Sequence, residues 1–157
     1  MTIMEMDFMR EALALARENI RKGGGPFAAI IVKDGKEIAR TGNTVTLSND
    51  PTAHAEVNAI REACRKLGTF NLAGCEIYSS CEPCPMCLSA IYWAGISKIY
   101  MSASRFDAAD AGFDDQFLYD EMVKPYEERR IPVKVLVPDE GKAPFADWKA
   151  YDGKIEY

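Results

Sequence analysis

The chain is short of several things. One histidine stands among its 157 residues, and lysine plus arginine number 19 against 24 aspartates and glutamates, a formal net charge of -5. No stretch approaches the roughly eighteen consecutive apolar residues of a membrane-spanning helix. The opening MTIMEMDFMREALALARENIRK mixes acidic and basic residues through its apolar positions, unlike a bare hydrophobic leader. The expectation is a cytoplasmic protein without a membrane partner. An acidic surface repels a phosphate backbone, which weighs against a nucleic-acid partner. Five cysteines is an odd count, and three of them fall within seven residues, too crowded for a disulfide framework. Metal binding or reactivity fits them better. Internal repeats, low-complexity tracts and signs of a second domain are also missing, so 1–157 reads as one domain whose 48% hydrophobic content can fill a core.

What is present reads as alternating helices and strands. From Asp7 to about Lys22, Phe8, Ala12, Leu15, Ala16 and Ile20 recur at helical spacing, and Gly23, Gly24 and Gly25 stop the helix. PFAAIIVK (26–33), the turn pair Asp34 and Gly35, and EIARTGN (37–43) predict a β-hairpin. A polar loop over 44–52 leads to helix-start chemistry at Asp50, Pro51 and Thr52, and AHAEVNAIREACRKL then runs to Gly68. CEIYSS (75–80) and SKIYMSA (97–103) read as strands joined by a helix that Pro83 opens and that reaches about Trp93, most economically a parallel, right-handed crossover. Further on, DDQFLYDEMVK (114–124) predicts a helix, IPVKVLV (131–137) a last strand, and PDEGKAP (138–144) a linker. Phe145, Trp148 and Tyr151 then form a short apolar stripe.

A catalytic zinc site takes three ligands from Cys, His or carboxylate and keeps a fourth position open for water. His54 is the only histidine, and Cys84 and Cys87 lie three apart at a helix start, on one face and one turn apart. Unpaired N–H groups and the macrodipole at helix starts favour the thiolates that zinc needs. Cys81 lies at the end of the preceding strand, on the far side of Pro83, and reads as a packing residue. Taken alone, HAE (54–56) is an ordinary helix-surface pair, and a lone CxxC reads as a redox pair or as nothing. Three ligands leave zinc one water, whose pKa falls from about 16 towards about 7. The hydroxide then needs a proton shuttle, and Glu56, set at a different angle from His54 on the same helix start, can serve as one.

With HAE (54–56) and SCEPCPMC (80–87) together, the chain resembles the zinc nucleobase deaminases of the cytidine deaminase-like superfamily. GGPFAAIIVKDG (24–35), SNDPTAHAE (48–56), SCEPCPMCLSAIYWA (80–94), AGFDD (111–115) and the terminal Glu156 and Tyr157 narrow the resemblance to small bacterial guanine deaminases. That likeness implies an α/β fold, a three-layer α/β/α sandwich around a mixed five-stranded sheet, and hydrolysis of guanine to xanthine and ammonia by zinc-hydroxide attack at C2. It also implies a base pocket lined by Phe27, Asn43, Ala55, Trp93, Asp115 and Tyr157. A homodimer that exchanges its C-terminal segment, 138–157, belongs to the same expectation, and the linker and aromatic stripe permit it. Each pocket residue has a physical sense and a structural alternative. Phe27 and Trp93 offer flat faces but are often core; Asn43 can donate and accept along a base edge; Asp115 can accept N–H bonds or simply favour a helix start. Ala28 stands where these enzymes often have glycine, which bears on the choice of substrate.

Three rivals remain. A tRNA adenosine deaminase shares both zinc motifs, although the acidic C-terminal region disfavours it. Cytosine, cytidine or guanosine could be the substrate on the same scaffold. A non-enzymatic module with a closed Cys3His zinc site, using Cys81, is the third, although a core of this size should not need a metal staple.

Overall fold

The first helix begins four residues earlier than its apolar period suggests, because a cap sets it. In the computed structural model, which describes all residues from Met1 to Tyr157, α1 spans Ile3–Arg21. Thr2 caps it through a reciprocal box: its hydroxyl accepts from Glu5 N, while the Glu5 carboxylate accepts from Thr2 N. The buried stripe of α1 is Ala12, Ala16 and Asn19, and Ile20 is exposed instead of buried. A polar residue therefore occupies the inward position at the end of the stripe.

The hairpin forms as expected. β1 (Ala28–Lys33) and β2 (Lys36–Gly42) pair antiparallel around Asp34 and Gly35, both at positive φ, the conformation that a tight two-residue turn requires. The polar loop that follows contains one helical turn, α2 (Val45–Ser48), before α3 (Ala55–Leu67). β3 (Cys75–Cys81), α4 (Pro85–Ala94) and β4 (Lys98–Ala103) build the crossover, and β3 and β4 are parallel. The sheet order is β2-β1-β3-β4, mixed in direction.

Alternation along β1 divides the core in two. Ala29 and Ile31 face one way, with Ala39, Ile77, Leu72 and Ile91, and meet Ala55, Ala59 and Ala63 of α3. Alanines at four-residue spacing form a flat stripe that lets α3 lie close on the sheet. Ile30, Val32 and Tyr78 face the other way, against Ala12, Phe8 and Met9 of α1. The result is a helix–sheet–helix sandwich. A short helix, α5 (Arg105–Asp110), capped by Ser104, follows β4.

The chain divides into two compact units, Met1–Asp115 and Gln116–Tyr157. Everything above lies in the first. The second contains α6 (Gln116–Met122), shorter than the expected 114–124, two 3-10 turns, and α7 (Ala143–Ala150). Glu121 organises its start, accepting from Lys124 Nζ at 2.7 Å and Arg130 N at 2.8 Å.

Two expectations fail here. Residues 131–137 join no ladder, so the sheet has four strands and not five. Their β-branched composition is right for a strand, but a strand is stable only when its N–H and C=O groups are paired. Val137, at φ 39°, leaves the extended region altogether. The linker expected at 138–144 is instead a 3-10 turn at Glu140–Lys142 running into α7, which Pro144 helps to start.

Candidate active site

Two helix entrances build the site. A turn brings the chain into α3: Asp50 Oδ1 accepts from Thr52 N at 2.8 Å and Thr52 Oγ1 at 2.7 Å, and Ala53 N donates to Asp50 O. Those hydrogen bonds also hold the Asp50 carboxyl below its ordinary range. His54 is thereby the N-cap of α3, in extended conformation, one position earlier than the first turn proper. Cys84 is likewise the N-cap of α4, with Pro85, and not Pro83, opening the helix. Cys87 then falls in the first turn, fully buried.

The two entrances converge. His54 Nδ1 lies 3.6 Å from Cys84 Sγ and 3.4 Å from Cys87 Sγ, and the ligand atoms of the three residues all lie within 4.8 Å of one another. Zinc bonds of about 2.3 Å to sulfur and about 2.0 Å to nitrogen, at tetrahedral angles, would separate S and N by about 3.5 Å. The observed separations match. Two thiols and one imidazole are also a donor set that suits zinc over calcium or magnesium.

Charge is arranged for a cation. The Cys84 thiol is lowered well below its ordinary range, first by the hydrogen bond from Cys87 and then by His54, while burial opposes it. Cys87 is pushed up, first by donating to Cys84 and then by burial. His54 is raised by its bond to Cys84. The trio shares its protons, and these are displaced when a metal binds.

Glu56 sits in the first turn of α3, 6% exposed, with its carboxyl in hydrogen-bond contact with Cys87. Burial raises its pKa, and the Cys87 contact opposes that rise. A buried carboxyl whose charged form is penalised, lying beside a metal-ligand set, is placed to take up and pass on a proton. Cys81 lies apart from the cluster: its thiol donates to Ser104 O at 3.5 Å, and burial pushes it up to about 11.

The other residues singled out from the sequence divide into two groups. Phe27 meets Phe113 edge-on at 5.0 Å, and its carbonyl accepts from Asn43 N at 3.1 Å. Asn43 is buried, and its Oδ1 accepts from Val45 N at 3.1 Å. The Ala55 side chain is core, so its backbone N–H at the start of α3 is the group it can offer. Asp115 has its pKa raised, mainly by burial and also by the Cys84 thiolate and Glu82. Trp93 is different: it is 74% exposed and nine residues along α4 from Cys84, about 13 Å along a helix axis, so α4 carries it away from the cluster. Tyr157, in the second unit, is exposed.

Sequence reasoning missed three polar residues that brace the site. Thr41 Oγ1 donates to Ala55 O at 2.7 Å, and the amides of Asn19 and Asn58 bond to the backbone around Asn43. In the sequence they look like ordinary helix and strand polar residues.

A mixed α/β sandwich with a His-Cys-Cys zinc site and a buried glutamate at paired helix entrances defines a zinc-dependent deaminase fold. Residues 3–103 match the cytidine and deoxycytidylate deaminase zinc-binding region, and the chain belongs to that family. Over 151 residues it is 54% identical to a guanine deaminase of Bacillus subtilis, covering 96% of this chain and 97% of that one. A crystal structure of the Bacillus subtilis guanine deaminase superposes with a TM-score of 0.95 at 52% identity, covering 100% of this chain and 99% of the other. A tRNA-specific adenosine deaminase of Aquifex aeolicus is 48% identical over 96 residues, 61% of this chain and 64% of its own length. No helix is long and apolar enough to cross a membrane.

Proposed function

We propose that this protein is a zinc-dependent guanine aminohydrolase that converts guanine to xanthine and ammonia. The observation that carries the reading is the extent of the likeness: similarity to guanine deaminase runs through 96% of the chain, the second unit included, whereas the tRNA-specific relative matches over 61%. The formal charge of -5 agrees with a small neutral substrate over a polynucleotide.

His54, Cys84 and Cys87 hold the zinc, which when bound supplies the Lewis acidity that makes a water nucleophilic at neutral pH. Glu56 takes the proton from that water as the bond to guanine C2 forms, then delivers it to the ring nitrogen. The same carboxylate then takes the proton of the new C2 hydroxyl and passes it to the amine, so that the C2–N bond breaks, the C2=O of xanthine forms and ammonia leaves. Phe27 presents a flat face to the purine. Asn43 has committed Oδ1 to Val45 N–H, which leaves its Nδ2 hydrogens to meet an acceptor on the base edge. Asp115 accepts from N–H groups of the base.

A panel measuring ammonia release from guanine, guanosine, adenine, cytosine, cytidine and a tRNA anticodon loop tests the substrate. Guanine should exceed the others by about 100-fold or more in kcat/KM, because a site built to pair with particular N–H and C=O groups leaves buried polar groups unmatched by an analogue. Release confined to the anticodon loop would replace guanine by tRNA adenosine.

The same reading includes a homodimer in which residues 138–157 cross to the partner and Tyr157 closes the partner's pocket. Its support is the unpaired 131–137 segment and the exposed Leu136, Phe145, Trp148 and Tyr151, an apolar series that a monomer leaves in water. Deleting residues 153–157 should lower guanine turnover about tenfold or more, the loss expected when a side chain that positions substrate and excludes water is removed, with zinc retained. Unchanged kcat/KM in the truncated protein would remove Tyr157 from the pocket.

A further inference from the structure

Asn43 is held by two asparagines that approach its backbone from different elements. From α1, the buried Asn19 sends Nδ2 to Asn43 O at 2.9 Å and to Gly25 O at 2.7 Å, joining the end of β2 to the loop that carries Phe27. From α3, Asn58 Nδ2 reaches Gly42 O at 3.0 Å, Thr44 Oγ1 at 3.0 Å and Ala53 O at 3.3 Å, gripping both neighbours of Asn43 and the residue before His54.

The neighbouring glycines fit the same device. A side chain on Gly42 would overlap the Asn19 amide, and one on Gly24 would overlap both that amide and Asn43 O. Glycine at these two positions is what allows Asn19 to reach its carbonyls. The metal-ligand loop, the base-edge amide and the Phe27 loop are thus tied through two side chains, neither of which belongs to the zinc cluster.

We infer that Asn19 and Asn58 are positioning residues that set where Asn43 and Phe27 stand relative to His54, and through them how tightly substrate is held. The inference rests on the reading of Asn43 and Phe27 as substrate contacts. Its physical content is that the amides donate to Asn43 O and Gly42 O and add second bonds at Gly25 O and Ala53 O, which also accept from Phe27 N and Thr44 N, and that these bonds cross between segments far apart in sequence. Loss of either amide frees the Asn43 segment to shift without disturbing the ligand geometry at Cys84 and Cys87.

Asn19→Ala and Asn58→Ala test this beside Val32→Ala, a core control in the cluster under α1. In both asparagine variants KM for guanine should rise about 10-fold or more while kcat stays within about 3-fold and zinc content is unchanged, the split expected when a binding contact is misplaced and the reacting groups are not. Amide hydrogen exchange, read without substrate, should quicken in 24–28 and 42–46 relative to the control. Should Asn19→Ala fail to fold, the half-buried Asn58 variant carries the test alone. KM unchanged from wild type, or exchange no faster in those segments than in Val32→Ala, overturns the inference. Absence of guanine turnover in the wild-type protein would sink the substrate reading, and the exchange measurement would then decide the clamp by itself.

Discussion

Glu56→Gln is expected to reduce kcat for guanine by about 10³-fold, within the range of rate enhancement that a positioned acid–base group supplies, while the protein keeps its zinc. The substitution preserves shape and hydrogen-bonding size and removes only the capacity to carry a proton. Glu56 lies outside the set of three ligand atoms, so metal affinity should survive. Its carboxyl is buried, and burial already penalises its charge, so an uncharged isostere should fold as well as the parent. Steady-state kinetics and elemental analysis of the same preparation decide the matter. A Gln variant with near-normal turnover would show that the proton moves by another route, and one that arrives without zinc would make Glu56 a ligand.

Replacing a ligand should cost even more. Cys87→Ala is expected to abolish stable zinc binding and lower turnover by at least about 10³-fold, because two ligands cannot hold the metal that brings a water's pKa from about 16 to about 7. Cys81→Ala should keep its zinc and most of its activity, since the Cys81 thiol is engaged with Ser104 O outside the cluster. X-ray absorption provides an independent reading. Two sulfurs and two light neighbours around the metal fit an open catalytic site. Three sulfurs would instead mean that Cys81 closes a structural one.

Much of the site was legible because its chemistry is local. The Asp50-Pro51-Thr52 turn marks one helix entrance in the chain itself and the prolines beside Cys84 mark the second, although the sequence pointed to Pro83 where Pro85 opens α4; a cap or a tight turn is decided by residues within four positions of it. The hairpin over Asp34 and Gly35 was readable for the same reason. The inward face of α1 was misjudged at its end because hydrophobic periodicity assigns Ile20 to the core, whereas Asn19 is buried there to meet Gly25 O and Asn43 O. Those acceptors come from other elements, and no pattern within α1 announces them.

The expected fifth strand shows the same boundary from the other side. Residues 131–137 have strand composition, yet a strand exists only where a second backbone pairs with it, and the four-stranded sheet of one chain does not provide that partner. Composition and spacing by themselves indicated the ligand types, the glutamate beside them, and the four strands with α1, α3 and α4 of the first unit, but neither α2 nor α5. Tertiary structure alone decided that His54 meets sulfurs thirty and thirty-three residues away, that Cys81 stays out of reach, and that Asn19 and Asn58 hold the backbone around Asn43. The reason is the range of the forces involved: turns and caps are satisfied by near neighbours, whereas ligand convergence and buried amide pairing depend on how distant segments pack around the shared core.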